Sequence, residues 1–133
     1  MKLDLAELLR EHLSSAPRVW TLRALQVTAG HPAIPTATVQ LEKNGTLHQD
    51  SATGAGPVDA AFRAIDRIAG VSGELKSFLL QSVTRGQDAL GEVTLQVAFS
   101  GSSPITAKGS DTDIILAGAK AYLNALNRHL SAQ

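Results

Sequence analysis

Two glycines precede a helix-like segment in the run Ala52–Asp59. Gly54 and Gly56 would let the backbone approach a ligand closely, and Pro57 is favoured at the first position of a helix. The start of that helix would present unpaired N–H groups and the positive end of the helix dipole, which suit a carboxylate. The alternative left open by the spacing is that the glycines serve only the turn and Asp59 only the helix dipole.

Other site chemistries find little support. Asp111 and Asp113 are close enough for a metal site or an acid pair, but both stand where a helix should begin, so capping explains them. The chain contains no cysteine, and no nucleophile-elbow motif is present. No metal-ligand spacing relates the four histidines, His12, His31, His48 and His129. We therefore expect no catalytic residue, no metal ion and no cofactor.

The composition bounds the class of protein. With 133 residues, 44% of them hydrophobic and 18% charged, the chain should form one folded domain. Twelve basic residues balance twelve acidic ones, which argues against a nucleic-acid or membrane partner and leaves self-association unopposed. No stretch is long and apolar enough for a membrane span or a signal peptide. We expect a soluble, cytoplasmic protein.

The sequence is internally repeated. The segment Leu25–Gly30 resembles Leu80–Gly86, with Thr28 matching Thr84. Such a duplication predicts a pseudo-symmetric interface, and interfaces of this kind are common places for a small ligand. The clearest anchors share one offset of 54 residues and match Val39, Leu41 and Asp59 with Val93, Leu95 and Asp113.

The first half predicts three strands. One should lie within Val19–Thr28, with a bulge near Ala24, where the alternation changes phase. Two more, Thr36–Glu42 and Thr46–Ala52, flank Asn44-Gly45, the strongest short signal for a hairpin.

A helix should follow from Pro57 and end at Gly70. Its Asp59 lies in the first turn, where a negative charge is favourable. One face of this helix is apolar and carries Val58, Ala61, Phe62, Ile65 and Ile68.

The second half predicts the same order of elements. Its middle strand should bury one face, formed by Val93, Leu95, Val97 and Phe99, and expose the other, formed by Glu92, Thr94 and Gln96. A strand at Ile105–Lys108 should follow.

The last helix should be capped by Ser110 or Asp111 and run to about His129. Small residues at Gly118 and Ala121 would let another helix or sheet approach closely. Its wide apolar face predicts a symmetric homodimer with this face, around Gly118, in the contact.

These elements predict an α+β fold of two pseudo-repeated βββα units, with helices packed on antiparallel sheets. Residues 1–17 would form an N-terminal appendage containing the helix Leu3–Leu13. Residues 18–133 would form the main domain, with halves at about 18–70 and 74–131.

Four segments of the chain carry a family resemblance: Ala52–Asp66, Thr84–Val93, Thr112–Ile115 and Ala119–Asn127. Together they resemble the C-terminal regulatory domain of 2-isopropylmalate synthase. The resemblance extends over about Trp20–Leu130 and implies two βββα units, a dimer, and binding of leucine as the end-product inhibitor of leucine biosynthesis. A similar domain of citramalate synthase responds to isoleucine.

The resemblance also implies an effector site. Helix-terminal amides would bind the carboxylate of the amino acid, and Asp59 or backbone carbonyls would bind its ammonium group. Apolar side chains would form the wall around a branched aliphatic group. The implied residues are Gly54, Gly56, Val58, Asp59, Leu75, Phe78, Ser82, Ala89 and Ile114.

The catalytic half of that family is a TIM barrel, which 133 residues cannot hold. By this resemblance the chain is the regulatory part of an acyltransferase and no enzyme by itself, with the barrel as its partner. Two alternatives are an isoleucine-binding module and a purely structural dimerisation module without a ligand. An enzyme with Asp59 and Asp113 as an acid pair is the least favoured interpretation.

Overall fold

The structure, a computed structural model, describes residues 18–31, 33–85 and 88–132. Two three-stranded antiparallel sheets, in the orders β1-β2-β3 and β4-β5-β6, are each followed by a helix, which confirms the predicted α+β fold. The predicted helix Leu3–Leu13 lies outside the described residues. The elements are β1 Thr21–Thr28, β2 Thr36–Lys43, β3 Thr46–Thr53, α1 Pro57–Ala69, β4 Gly73–Arg85, β5 Asp88–Phe99, β6 Ile105–Asp111 and α2 Ile114–Ser131.

The local signals of the first half are confirmed. Asn44 and Gly45 have φ angles of 51° and 78°, the left-handed conformation that a two-residue hairpin turn between twisted strands requires. The pairing of β1 with β2 shifts between Leu22 and Ala24, so a bulge lies at the predicted phase change. Helix α1 ends before Gly70, whose φ of 70° makes it a left-handed cap.

The repeat is real in the central strands. Val39 and Leu41 of β2, like Val93 and Leu95 of β5, are fully buried.

Outside the central strands, the offset between equivalent residues of the two halves changes. Thr28 pairs with Thr36, and at the equivalent level Val83 pairs with Leu90. The predicted match of Thr28 with Thr84 is therefore wrong by one residue.

The predicted cap of the last helix is wrong. Asp113 is the N-cap of α2, and its carboxylate accepts hydrogen bonds from the N–H groups of Ile115 at 2.8 Å and Leu116 at 3.3 Å. Ser110 and Asp111 belong to β6, because this strand stays paired with β5 as far as Asp111. Helix α2 also continues to Ser131, two residues beyond His129.

The same geometry separates Asp59 from Asp113. Asp59 lies inside the first turn of α1, whereas Asp113 precedes α2. Their shared offset of 54 residues therefore does not make them structurally equivalent.

The outer face of the second sheet departs from the predicted alternation at Glu92, which is only 2% exposed. Lys108 lies 3.3 Å from its carboxylate and donates a 2.7 Å hydrogen bond to Thr94. A paired carboxylate can be buried where an isolated one would not be, which accounts for the departure.

Helix α2 packs on its own sheet through small residues, as predicted for Ala121. A Cβ atom at Gly109 of β6 would collide with the backbone of Ala117 and Ala121. Further along, Phe62 of α1 stacks on Tyr122 of α2 at a ring-centroid distance of 4.2 Å, and Phe99 meets Tyr122 edge-on. The core therefore joins both halves through α2.

A second buried contact joins the halves. The Asn127 side chain accepts from the Trp20 N–H at 2.8 Å and donates to the Trp20 carbonyl at 2.9 Å. Neither helix of the described chain is long and apolar enough to cross a membrane.

Candidate functional site

A cleft of about 530 Å³ opens between α1, the beginning of β4 and Tyr122 of α2. Its walls are mixed: apolar and aromatic side chains alternate with charged ones. The apolar residues are Val58, Phe62, Leu75 and Phe78, and the polar ones include Asp59, Arg63, Asp66 and Glu74.

Four of the nine predicted site residues line this cleft: Val58, Asp59, Leu75 and Phe78. Phe78 pairs across the sheet with the buried Leu95, so its ring is on the helix-facing side of β4. It is nevertheless 38% exposed, because the cleft is open on that side.

Gly56 leaves the start of α1 open. It is the N-cap of the helix but has no side chain to bond the first amides, and a Cβ atom placed on it would meet nothing within 4 Å. Pro57 has no N–H, so the N–H groups of Val58 and Asp59 are those left without an acceptor inside the helix. These two N–H groups could donate hydrogen bonds to a carboxylate.

Gly54 has a packing role instead. Its N–H donates to the Pro35 carbonyl at 3.1 Å. A Cβ atom there would collide with the Ala60 N–H and lie 2.7 Å from the Asp59 carboxylate. The alternative raised by the sequence, that the glycine serves only the turn, therefore explains Gly54.

Asp59 already has local partners. One oxygen of its carboxylate accepts from the Ala55 N–H at 2.8 Å and from Arg63 at 2.9 Å. Burial by itself would raise the pKa of Asp59, but the Ala55 N–H and Arg63 outweigh it and lower that pKa. The carboxylate is thus held in its charged form and folds the loop back onto the helix.

The other predicted residues lie outside the cleft, at the start of α2. Ser82 pairs with Gly91, and a Cβ atom on Gly91 would lie 3.5 Å from the side chain of Ile114. Ala89 lies two residues from Gly91 and so shares its face of β5. The structure therefore brings these three together as a second group, separate from the cleft lining.

A row of α2 residues runs from one group to the other. Ile114, Gly118 and Tyr122 stand four residues apart on one side of the helix. A Cβ atom at Gly118 would lie 3.7 Å from both Val58 and Phe78. The two groups thus lie along one surface, with α2 as its floor.

The inner end of the cleft holds a polar cluster that the sequence did not reveal. The Tyr122 hydroxyl donates to Asp66 at 2.6 Å, and the Gly73 N–H donates to the other oxygen of Asp66 at 3.1 Å. Burial raises the pKa of Asp66, and burial together with Asp66 raises the pKa of Tyr122. A signal was present, since an acidic residue continues the apolar face four residues after Phe62.

The acid pair considered from the sequence is not formed in the structure. Asp59 and Asp113 both use their carboxylates on local N–H donors. Within the described ranges, no group of three or more potential metal ligands is found.

Residues 1–130 match the family model described as the LeuA allosteric (dimerisation) domain. The chain is 44% identical over 126 residues to 2-isopropylmalate synthase of Olsenella uli, which covers 94% of this chain and 25% of that protein. It is 43% identical over 132 residues to the enzyme of the same name in Microcystis aeruginosa, covering 98% and 25%. The chain spans about a quarter of the length of these curated relatives. The match covers both βββα units, and the chain belongs to the LeuA allosteric (dimerisation) domain family.

Proposed function

We propose that this domain binds a branched-chain amino acid as an allosteric effector, with leucine as the first candidate and isoleucine as the alternative. The observation that supports the proposal is the uncapped start of α1, whose first-turn residues Val58 and Asp59 line the cleft together with Phe78. A free carboxylate and a branched aliphatic side chain would satisfy both parts at once.

The effector would lie with its carboxylate at the N–H groups of Val58 and Asp59. Its side chain would pack against Phe78 and Leu75, which the open cleft leaves partly uncovered. Its ammonium group would bind backbone carbonyls of the glycine loop or the remaining acceptor positions of Asp59. Arg63 would keep that carboxylate charged.

In the parent protein the domain would regulate a catalytic barrel that condenses an acyl group with a 2-oxo acid. Leucine, the end product of that pathway, would inhibit the enzyme. Inhibition requires that leucine bind one arrangement of the domain more tightly than another. The protein would work in the cytoplasm, as a biosynthetic enzyme.

The domain would also form a homodimer. Strand β4 has one unpaired edge in the described sheet, and it exposes large apolar side chains on both faces. The sequence prediction put the contact around Gly118, but Gly118 is buried inside its own chain near Phe78, so this part is corrected. The exposed residues are Leu75, Phe78, Leu79 and Leu80.

Calorimetry on the chain tests ligand binding. Leucine should bind with a dissociation constant below about 1 mM, which corresponds to roughly 4 kcal/mol. A competition with isoleucine separates the two candidate effectors. Absence of binding of either amino acid, in a sample shown to be folded, would leave the structural dimerisation module.

Light scattering tests the dimer. At tens of micromolar the chain should have twice its monomer mass, with about 2,000 Å² or more buried between the copies. Replacing Leu79 of β4 with lysine should shift the mass toward the monomer, because an unpaired charge is costly in an apolar contact. A monomeric mass for the unchanged protein would contradict the proposal.

A further inference from the structure

Helix α2 contains a glycine in its interior, at Gly118, one turn after its start. Glycine is unfavourable inside a helix relative to alanine, because it loses more backbone freedom on folding. The surroundings of an interior glycine should therefore explain why glycine, and not alanine, stands at that position.

The fold itself gives no such reason. A Cβ atom at Gly118 would lie 3.7 Å from Val58, 3.7 Å from Phe78 and 3.9 Å from Phe62, all ordinary van der Waals distances. Gly109 differs, since a Cβ atom there would strike the backbone of α2. The left-handed conformation that favours glycine is also absent at Gly118. Alanine would fit this position of the chain.

The three neighbours have one property in common. Val58, Phe62 and Phe78 all line the cleft in which we place the effector. Gly118 itself is not one of the residues that line the cleft, but its missing methyl group would lie against three that do.

We infer that Gly118 is a specificity-determining residue, whose missing side chain leaves room for the end of the effector's aliphatic side chain. This inference rests on the proposed function, because it assigns a role within the same cleft. The space of about one methyl group beside two aromatic rings suits the terminal methyl groups of leucine. The side chain of valine is one carbon shorter and would extend less far into this space.

Gly118→Ala tests the inference, because the new methyl group would occupy that space. One methyl or methylene group in an apolar pocket changes affinity about tenfold to 200-fold. We expect leucine affinity to fall at least about tenfold and valine affinity to fall less, so that the preference for leucine narrows. The melting temperature should not fall, since alanine favours the helix.

Gly91→Ala is a matched control. A Cβ atom there would also make only ordinary contacts, at 3.5 Å from Ile114 and 3.6 Å from Leu80, but neither of these two neighbours lines the cleft. We expect this variant to retain its leucine affinity. Calorimetry with leucine and valine, alongside thermal unfolding, compares the full chain with both variants.

Each outcome decides the matter. If the unchanged chain binds neither leucine nor isoleucine, the proposed function fails, and the inference fails with it. If it binds isoleucine but not leucine, only the inference fails. If it binds leucine and Gly118→Ala binds equally well, only the role of Gly118 is overturned. If Gly91→Ala loses leucine affinity and Gly118→Ala does not, the side chain of leucine lies near Ile114, and the role of Gly118 is overturned. If Gly118→Ala has a lower melting temperature, the fold itself needs this glycine, which also overturns the inference.

Discussion

The two helices of the repeat start differently. Helix α1 follows Gly56, which has no side chain to bond its first amides. Helix α2 follows Asp113, whose carboxylate accepts from the N–H groups of Ile115 and Leu116. One unit has thus satisfied its helix start internally, whereas the other leaves it open beside a cleft.

Both starts use a further carboxylate to shape the preceding loop. Asp59 accepts from the Ala55 N–H and pairs with Arg63. Asp111 accepts from the Asp113 N–H and pairs with Lys120 at 2.7 Å. Because a carboxylate shapes the chain before the helix in both units, this interaction does not distinguish the two helix starts. The cap residue does, since Gly56 leaves the first amides of α1 without a side-chain acceptor and Asp113 supplies one to α2.

Giving α1 the cap of α2 should have the largest effect. In Gly56→Asp the new carboxylate would bond the amides of Val58 and Asp59, as Asp113 does in α2. We expect leucine binding to weaken at least a hundredfold, since the ligand would lose its charge-assisted hydrogen bonds and meet a like charge. Stability should rise by a few tenths of a kcal/mol, because aspartate is a slightly better cap than glycine.

Gly56→Ala is the control for this variant. It adds a methyl group where the structure has open space, but no carboxylate. Leucine titrations by calorimetry should show near-normal binding. If both variants lose the same leucine affinity, the loss comes from a change in the loop and not from occupation of the amides by the new carboxylate.

Removing the cap of α2 should affect stability alone. Asp113→Ala leaves the N–H groups of Ile115 and Leu116 without their partner, at a cost of about 1 kcal/mol. Urea unfolding measures this cost, and leucine affinity should stay the same. A variant that unfolds normally but no longer binds leucine would move the effector to the second helix.

The smallest effect concerns acid stability. Lys120 and the Asp113 N–H lower the pKa of Asp111, and the Ala55 N–H and Arg63 lower that of Asp59 despite burial acting to raise it. A carboxyl with a lower pKa in the folded state stabilises the fold above the ordinary value of 3.8, and this contribution is lost as the pH falls through the lowered pKa.

Asp111→Asn and Asp59→Asn should therefore each lose less of their free energy of unfolding than the unchanged chain between about pH 5 and about pH 3. Urea unfolding across this interval measures the difference. A steeper loss in either variant would contradict the assigned direction of the pKa shift.

Signals within a few residues predicted most of the fold. Asn44-Gly45 fixed the hairpin, Pro57 and Gly70 bounded α1, and alternation gave the buried face of β5. The cap of α2 was missed because Ser110, Asp111 and Asp113 are all plausible caps. Only the length of β6 decides among them.

The candidate site was harder to predict because its contacts span the chain. Asp66 meets Tyr122 across 56 positions, and Trp20 meets Asn127 across 107. No local pattern encodes such pairs. Apart from Gly54 and Gly56, the predicted site residues divide into the cleft and the Ile114 group, a division that depends on how the halves pack.

Amide chemical shifts during a leucine titration test the central claim most directly. The backbone N–H signals of Val58 and Asp59 should shift with leucine concentration, because they would bond its carboxylate. Those of Ile115 and Leu116, already bonded to Asp113, should remain nearly constant. Shifts at the start of α2 with none at the start of α1 would contradict the account.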